Sequence, residues 1–320
     1  SSIDTKIQND VKKIINRVSI KGDEALINYT KKFDKILLNK NNFSPNYTSI
    51  NYKKNTDKKI LKSFKKAIKN ITNFHKKQLP NDILQTNNNI KLRTRWRPID
   101  SVGLYIPGGN AFYPSSLIMN VVPAQIAGVK RIVCVTPPTK KPNPYLLYLL
   151  NELKISEVYF VGGAQAIAAL AIGTKKIKAV NKIFGPGNAY VAEAKRQLFG
   201  KVGIDLIAGP SEIIVVANKD NNPKWVAADL MAQAEHDINA QSILITDNFQ
   251  FSQMVDKEIK YLTKNNLNKN IINKSIKKNG ITILVKDINL SPEIINYIAP
   301  EHLHLQIKSY KKLLPKINNA

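Results

Sequence analysis

Ser101-Val-Gly-Leu-Tyr-Ile-Pro-Gly-Gly109 reads as a short apolar strand running straight into a glycine turn, with a helical stretch after it through Ala127. Apolar runs of this length, bounded by Gly and Pro, mark buried strands. The pattern repeats downstream. Arg131 to Val135 is a strand, followed by a proline-rich loop and a helix from Tyr145 to Leu153. Val158-Tyr-Phe-Val161 runs into Gly162-Gly163 and a helix to Ile172. Lys182-Ile-Phe184 runs into Gly185-Pro-Gly-Asn188 and a helix to Leu198, and Val202 to Leu206 leads to Ala208-Gly-Pro-Ser211. Strands alternating with helices in this way predict a parallel, doubly wound sheet.

On the N-terminal side, residues 1–90 read as helices with a polar spacer. Val11, Ile14, Ile15 and Val18 recur at helical spacing, and Lys21-Gly22-Asp23 ends that helix and starts the next. A third helix spans Asp57 to about Lys77. On the C-terminal side a second α/β run is expected. It comprises a helix over Lys224–His236, a strand over Ser242–Thr246, a helix from Phe249 to Asn265, a strand over Gly280–Val285, a helix ending near Ile298 and a strand over Leu303–Ile307. The Asn- and Lys-rich stretch 264–279 is the least ordered part by composition. The fold class predicted is α/β, two Rossmann-like doubly wound domains with N-terminal helices.

The 320 residues carry a formal charge of +26, which ordinarily suggests nucleic acid. Only six of the 49 basic residues are arginine, however, and the lysines travel with Asn and Ile, residues of A/T-rich codons. Lys53, Lys54, Lys58, Lys59, Lys65 and Lys66 are not interleaved with aromatics as a stacking platform needs. A solvated surface accounts for them without a nucleic-acid partner. No run of 18 apolar residues is present, so no membrane span is expected. A polar, charged opening and the single cysteine, Cys134, fit a cytoplasmic protein without disulfides.

Three glycine turns follow strands directly, at Pro107-Gly-Gly, Val161-Gly-Gly and Phe184-Gly-Pro-Gly-Asn. They belong at the carboxyl edge of one parallel sheet, where backbone amides and helix N-termini receive anionic ligands. The usual dinucleotide fingerprint is absent, because Tyr190 stands at the third glycine position after Gly185 and Gly187. Each turn alone is also explained as a tight turn; three in one sheet favour a nucleotide or other anion. Gln233 and His236, three apart on a helical run, can offer an amide oxygen and an imidazole to a divalent metal. Glu235 and Asp237 crowd that turn, to orient the histidine or remain in solvent. Glu301 and His302, adjacent at a strand entrance, suit general acid–base work. A His302/His304 metal pair, or a loop carboxylate beside a structural histidine, are the other readings of that stretch.

Together these stretches resemble the histidinol dehydrogenase family. The resemblance is carried by Val102-Gly-Leu-Tyr-Ile-Pro-Gly-Gly109, Val161-Gly-Gly-Ala-Gln-Ala-Ile-Ala-Ala-Leu170, Lys182-Ile-Phe-Gly-Pro-Gly-Asn188, Ala208-Gly-Pro-Ser-Glu212, Gln233-Ala-Glu-His236 and Pro300-Glu-His-Leu303. Lys21-Gly-Asp-Glu-Ala-Leu26 and Lys32-Phe-Asp-Lys35 extend it over nearly the whole chain. The resemblance implies an enzyme that oxidises L-histidinol through the aldehyde to L-histidine with two NAD+, one zinc ion per subunit and a homodimer. It implies Gln233 and His236 as zinc ligands that also touch substrate, and Ser211 and His302 as further substrate contacts. Tyr105, Gln165 and Asn188 match NAD contacts, Glu301 and His302 the catalytic pair, and His304 none of these. In that scheme His302 removes the hydroxyl proton and Glu301 activates the water that adds to the aldehyde.

The resemblance also implies a discontinuous outer domain of residues 1–104 and 213–320 around an inner NAD-binding domain of 105–212. Family members continue past the equivalent of Ala320, where an aspartate and a histidine complete the zinc site and a glutamate contacts substrate. The expectation is a fragment of a longer gene product, with a catalytically inactive truncated remnant as the alternative.

Overall fold

A computed structural model describes residues 5–39, 42–45, 56–88, 90–108, 113–207, 209 and 211–320. Gly109, Ala208 and Pro210 of the expected turns lie outside the described residues. The contacts divide the chain into two compact units, Ser1–Ile207 and Ala208–Ala320.

The first unit opens with α1 (Thr5–Lys21), α2 (Asp23–Asp34) and α3 (Lys58–His75). A hairpin of β1 (Ile83–Asn87) and β2 (Ile90–Thr94) follows, antiparallel and exposed along its length. The sheet then builds from β3 (Ser101–Tyr105), α4 (Pro114–Ile126), β4 (Arg131–Val135), α5 (Pro144–Glu152), β5 (Glu157–Tyr159), α6 (Gly163–Ile172), β6 (Lys182–Phe184), α7 (Ala189–Leu198) and β7 (Gly203–Ile204). All five strands are parallel, in the order β5-β4-β3-β6-β7. The chain steps outward from β3 to β5, then crosses back for β6, so the direction of winding reverses between β3 and β6. All five residues of β3 are buried, as its central place requires. At Gly103 an added Cβ would come within 2.8 Å of the Leu170 side chain, so this glycine lets α6 lie against the strand.

Val11, Ile14 and Val18 form the buried stripe of α1, packing with Ala25 and Leu26 of α2 against Ala166, Ile167, Leu170, Val191 and Ala194. On the opposite face, α3 lays Leu61, Phe64, Ile68 and Ile71 over the cluster of α4 and α5. Each fully buried aliphatic side chain contributes about 1.5–3 kcal/mol, so these stripes hold the N-terminal helices on the first sheet. Here the structure differs from the expected domain division. The helices α1 to α3 pack with the stretch after residue 104, and the boundary between the two units falls near residue 207, not at 104/105 and 212/213.

The second unit contains β8 (Glu212–Val216), α8 (Pro223–Ala234), β9 (Gln241–Thr246), α9 (Phe249–Lys264), α10 (Lys269–Asn279), β10 (Gly280–Leu284), α11 (Ser291–Ile298), β11 (His302–Leu305) and α12 (Tyr310–Leu313). Its four strands are again all parallel, ordered β10-β9-β8-β11. Two sequence expectations change here. The central strand β8 stands where no strand was foreseen, between Ser211 and the helix at 223. The stretch expected to be least ordered contains α10, whose Ile272 packs on Met231 and Ala234, while Ser275 Oγ donates to Ala240 O at 2.9 Å. No described helix is long and apolar enough to cross a membrane.

Candidate active site

At the carboxyl edge of the first sheet, Tyr105 closes β3 with its ring buried. Its hydroxyl accepts the Gly163 N–H at 3.1 Å and keeps its own proton to donate. Burial pushes this phenol above its ordinary pKa, the Gly163 bond opposes that, and the nearby Asp34 charge adds to it. Gly163, at φ +65°, starts α6, whose N-cap Gly162 supplies no side-chain hydrogen bond. A Cβ at Gly162 would meet the Pro137 ring at 2.6 Å, so this turn admits no larger residue unaltered. In the first turn of α6 lies Gln165, 1% exposed, with Oε1 buried and lacking a hydrogen-bond partner.

Gly185, after β6, adopts φ +113°, and a Cβ there would stand 2.1 Å from the Tyr105 carbonyl oxygen. The ends of β3 and β6 thus meet where the winding reverses, the place open α/β sheets use for ligands. Asn188 caps α7, its Oδ1 accepting from the N–H groups of Tyr190 and Val191 at 3.1 Å each. The glycine turns therefore differ: α7 is capped by its own asparagine, whereas α6 has no such cap. A cavity of about 230 Å³ lies along the same edge, bounded by Pro138, Thr139 and Lys140 after β4, Phe160 after β5, and Ile36.

In the second unit the candidate groups gather at the opposite, amino edge. Ser211 precedes β8, and its carbonyl accepts the N–H of Gln241 at the start of β9. Running back from the carboxyl end of β8, α8 ends at this edge with Gln233 in its last turn, 7% exposed. The helix stops at Ala234, short of the His236 expected, so His236 stands on the following turn. There its N–H donates to Gln233 O at 3.2 Å. Ala299, in the left-handed region at φ 54°, ends α11 and turns the chain toward Glu301 and His302. His302 Nε2 lies 3.8 Å from Glu301 Oε1, both side chains about half exposed. Burial raises the Glu212 carboxyl above its usual pKa, with the Glu301 charge adding to the shift.

His304 is committed elsewhere. Its Nδ1 lies 2.8 Å from Asp229 Oδ2, which also accepts from Gln306 Nε2 at 2.6 Å. That bond fixes the ring through Nδ1 alone. Among the described residues no group of three or more His, Cys, Asp or Glu side chains is placed to hold a metal ion.

A sequence model of the histidinol dehydrogenase family matches residues 1–320. The chain belongs to the histidinol dehydrogenase family. It is similar to the histidinol dehydrogenase of Brucella abortus (strain 2308), with 45% identity over 98% of this chain and 74% of the relative's length. That of Aquifex aeolicus is 43% identical over 99% of this chain and 74% of its own length. The crystal structure of histidinol dehydrogenase from Elizabethkingia anophelis superposes with a TM-score of 0.91 at 36% identity, over 98% of this chain and 73% of that one. The chain thus spans about three quarters of the length of these histidinol dehydrogenases.

Of the family-matched residues, Tyr105, Gln165 and Asn188 come to one edge of the first sheet, and Ser211, Gln233, His236, Glu301 and His302 to one edge of the second. Sequence reasoning missed Lys195 and Asp205, whose side chains tie down Gly185. Their separation by ten residues, with α7 ending and β7 intervening, offers no periodic signal.

Proposed function

We propose that this chain carries out the oxidation of L-histidinol through its aldehyde to L-histidine, using two NAD+. The observation that carries the reading is the Glu301–His302 pair at the mouth of β11 in a chain of this family. An imidazole and a carboxylate 3.8 Å apart and open to solvent provide a base for each oxidation. In the first, His302 takes the hydroxyl proton as the carbinol C–H leaves with its electron pair. In the second, Glu301 takes a proton from the water that adds to the aldehyde carbonyl, while His302 returns the proton it took in the first oxidation to the carbonyl oxygen, giving the hydrated aldehyde and a neutral imidazole. His302 then removes one of its hydroxyl protons as the second C–H leaves. Bound NAD+ supplies the acceptor for both electron pairs.

The carboxyl edge of the first sheet fits a dinucleotide by its polar groups. Gln165 has a buried, unpartnered amide oxygen, Tyr105 a hydroxyl proton, and α6 an N-terminus without a side-chain cap. These groups and Asn188 would hold NAD. For zinc the fit is incomplete. Gln233 and His236 would fill two of the four positions that the ion ordinarily takes. Ser211 would contact substrate beside them. The homodimeric state and cytoplasmic location implied by the family belong to the same reading, and the expectation of an inactive remnant gains no support from the fold. Formation of NADH on adding L-histidinol, with L-histidine as product, tests the proposal; a protein that yields neither would favour the inactive remnant instead.

A further inference from the structure

The Lys195–Asp205 pair differs from the other ion pairs of the first unit in what it encloses. Lys195 points inward from α7, its side chain 5% exposed. Its Nζ donates to Asp205 Oδ1 at 2.8 Å and to the Gly185 carbonyl at 2.5 Å, while Asp205 Oδ2 accepts the Gly185 N–H at 2.8 Å. These bonds close a ring through both backbone polar groups of one residue. Asp205 Oδ1 also accepts the Leu206 N–H at 2.8 Å, which aims the carboxylate.

Taking an ammonium and a carboxylate out of water costs several kcal/mol for each, and apolar side chains of equal volume are often as stable or more so. Stability is therefore a weak reason for charges at this place. An apolar pair cannot satisfy a backbone N–H and C=O at once, however, and Gly185 needs both held. Its φ of +113° suits only glycine, and a Cβ there would collide with the Tyr105 carbonyl. β6 has already ended at Phe184, so the sheet ladder no longer holds it.

We infer that Lys195 and Asp205 are positioning residues for the loop 185–188: by fixing Gly185 they set the spacing between Tyr105 and Asn188 across the point where the winding reverses. The inference rests on the dinucleotide reading of this edge. A contrasting pair exists at the opposite edge of the same sheet, where Arg131 and Glu157 form two hydrogen bonds of 2.7 and 3.0 Å at the starts of β4 and β5. That pair touches no candidate cofactor contact and serves as the control.

The experiment is NAD+ titration calorimetry on the full chain and its Lys195→Met, Lys195→Arg, Asp205→Asn and Glu157→Gln variants, with thermal melts alongside. Lys195→Met and Asp205→Asn should raise the Kd for NAD+ about tenfold or more. Glu157→Gln should change it less than about twofold even where its Tm falls as far. Lys195→Arg should recover part of the affinity, because a guanidinium still donates to both oxygens. Amide exchange at Gly185 should quicken in Asp205→Asn, and the KM for L-histidinol should stay unchanged. An unchanged Kd in folded Lys195→Met and Asp205→Asn overturns the inference, as does an equal rise in Glu157→Gln. Failure of all the Lys195 and Asp205 variants to fold would make the pair a folding element and equally overturn it. A wild-type chain that binds no NAD+ sinks the dinucleotide reading itself, an outcome distinct from all of these.

Discussion

The two sheets are wound alike but gather their candidate residues at opposite edges. In the first unit Tyr105, Gln165 and Asn188 stand at the carboxyl edge, which receives helix N-termini. In the second, Ser211, Gln233, His236, Glu301 and His302 stand at the amino edge, which receives the C-terminal ends of α8 and α11. A helix N-terminus presents N–H groups and partial positive charge, its C-terminus carbonyls and partial negative charge. The first edge thus suits an anionic dinucleotide. The second, with Glu212, Glu235, Asp237 and Glu301 along it, suits an amino alcohol that carries an ammonium and an imidazole. In a chain of formal charge +26, local placement of charge matters more for the site than the total.

The sharpest way to break this comparison is at the amino edge. His302→Ala removes the proposed base and should lower kcat by about 10²–10⁴-fold while leaving metal content unchanged. Loss of zinc from that variant would make His302 a ligand instead. Glu301→Gln should slow the aldehyde-to-acid half by about 10²-fold and the alcohol oxidation much less, since only the former needs an activated water. Supplying the aldehyde directly isolates that half, and a wild-type rate there would end the role assigned to Glu301.

At the carboxyl edge, Gln165→Leu should raise the Kd for NAD+ about tenfold without lowering Tm, because the lost amide oxygen has no partner in the folded chain. A lower Tm with unaltered NAD+ binding would mark Gln165 as a packing residue. Asp34 offers a pH test beside Tyr105. Burial pushes its carboxyl up to about 6, and Oδ2 is unpartnered. The fold disfavours the charged form, so the penalty is absent below the unfolded pKa near 3.8 and complete above about 6. Asp34→Asn should therefore add on the order of 1 kcal/mol at pH 7, after discounting for partial exposure, and little at pH 3. Urea melts at the two pH values check this; an equal gain at both would contradict it. The smallest effect is expected at Asp229→Asn, which loosens His304 in a partly exposed pair and should cost less than about 1 kcal/mol. Urea melts and turnover measured together read it, and lost turnover with lost zinc would return His304 to the metal site.

The first sheet was largely legible because its information is local. Val102 to Tyr105, Arg131 to Val135 and Lys182 to Phe184 are short apolar runs, each stopped by Pro or Gly, and they became strands in the expected order. Spacing alone left Gln233 and His236 an open pair that the family motifs singled out, and the turn at Glu235, not a continued helix, carries His236. The hairpin at 83–94 was missed because no buried face imposes alternation on its residues. α10 was missed because one buried isoleucine among lysines and asparagines anchors it, and composition averages that residue away.

What the sequence by itself determined is the alternation of elements, the glycine turns and the register of the family motifs, all set by residues within a few positions of one another. Tertiary structure alone decided which strands became neighbours, placing β8 at the centre of the second sheet and returning β6 to the far side of β3. It also decided that α1 to α3 belong with the first sheet, that Lys195 and Asp205 close on Gly185, and that Asp229 claims His304. Those outcomes depend on contacts between residues far apart in the chain. Such contacts form only when burial offsets the entropy of closing the loops between them, and no local periodicity records which closure wins.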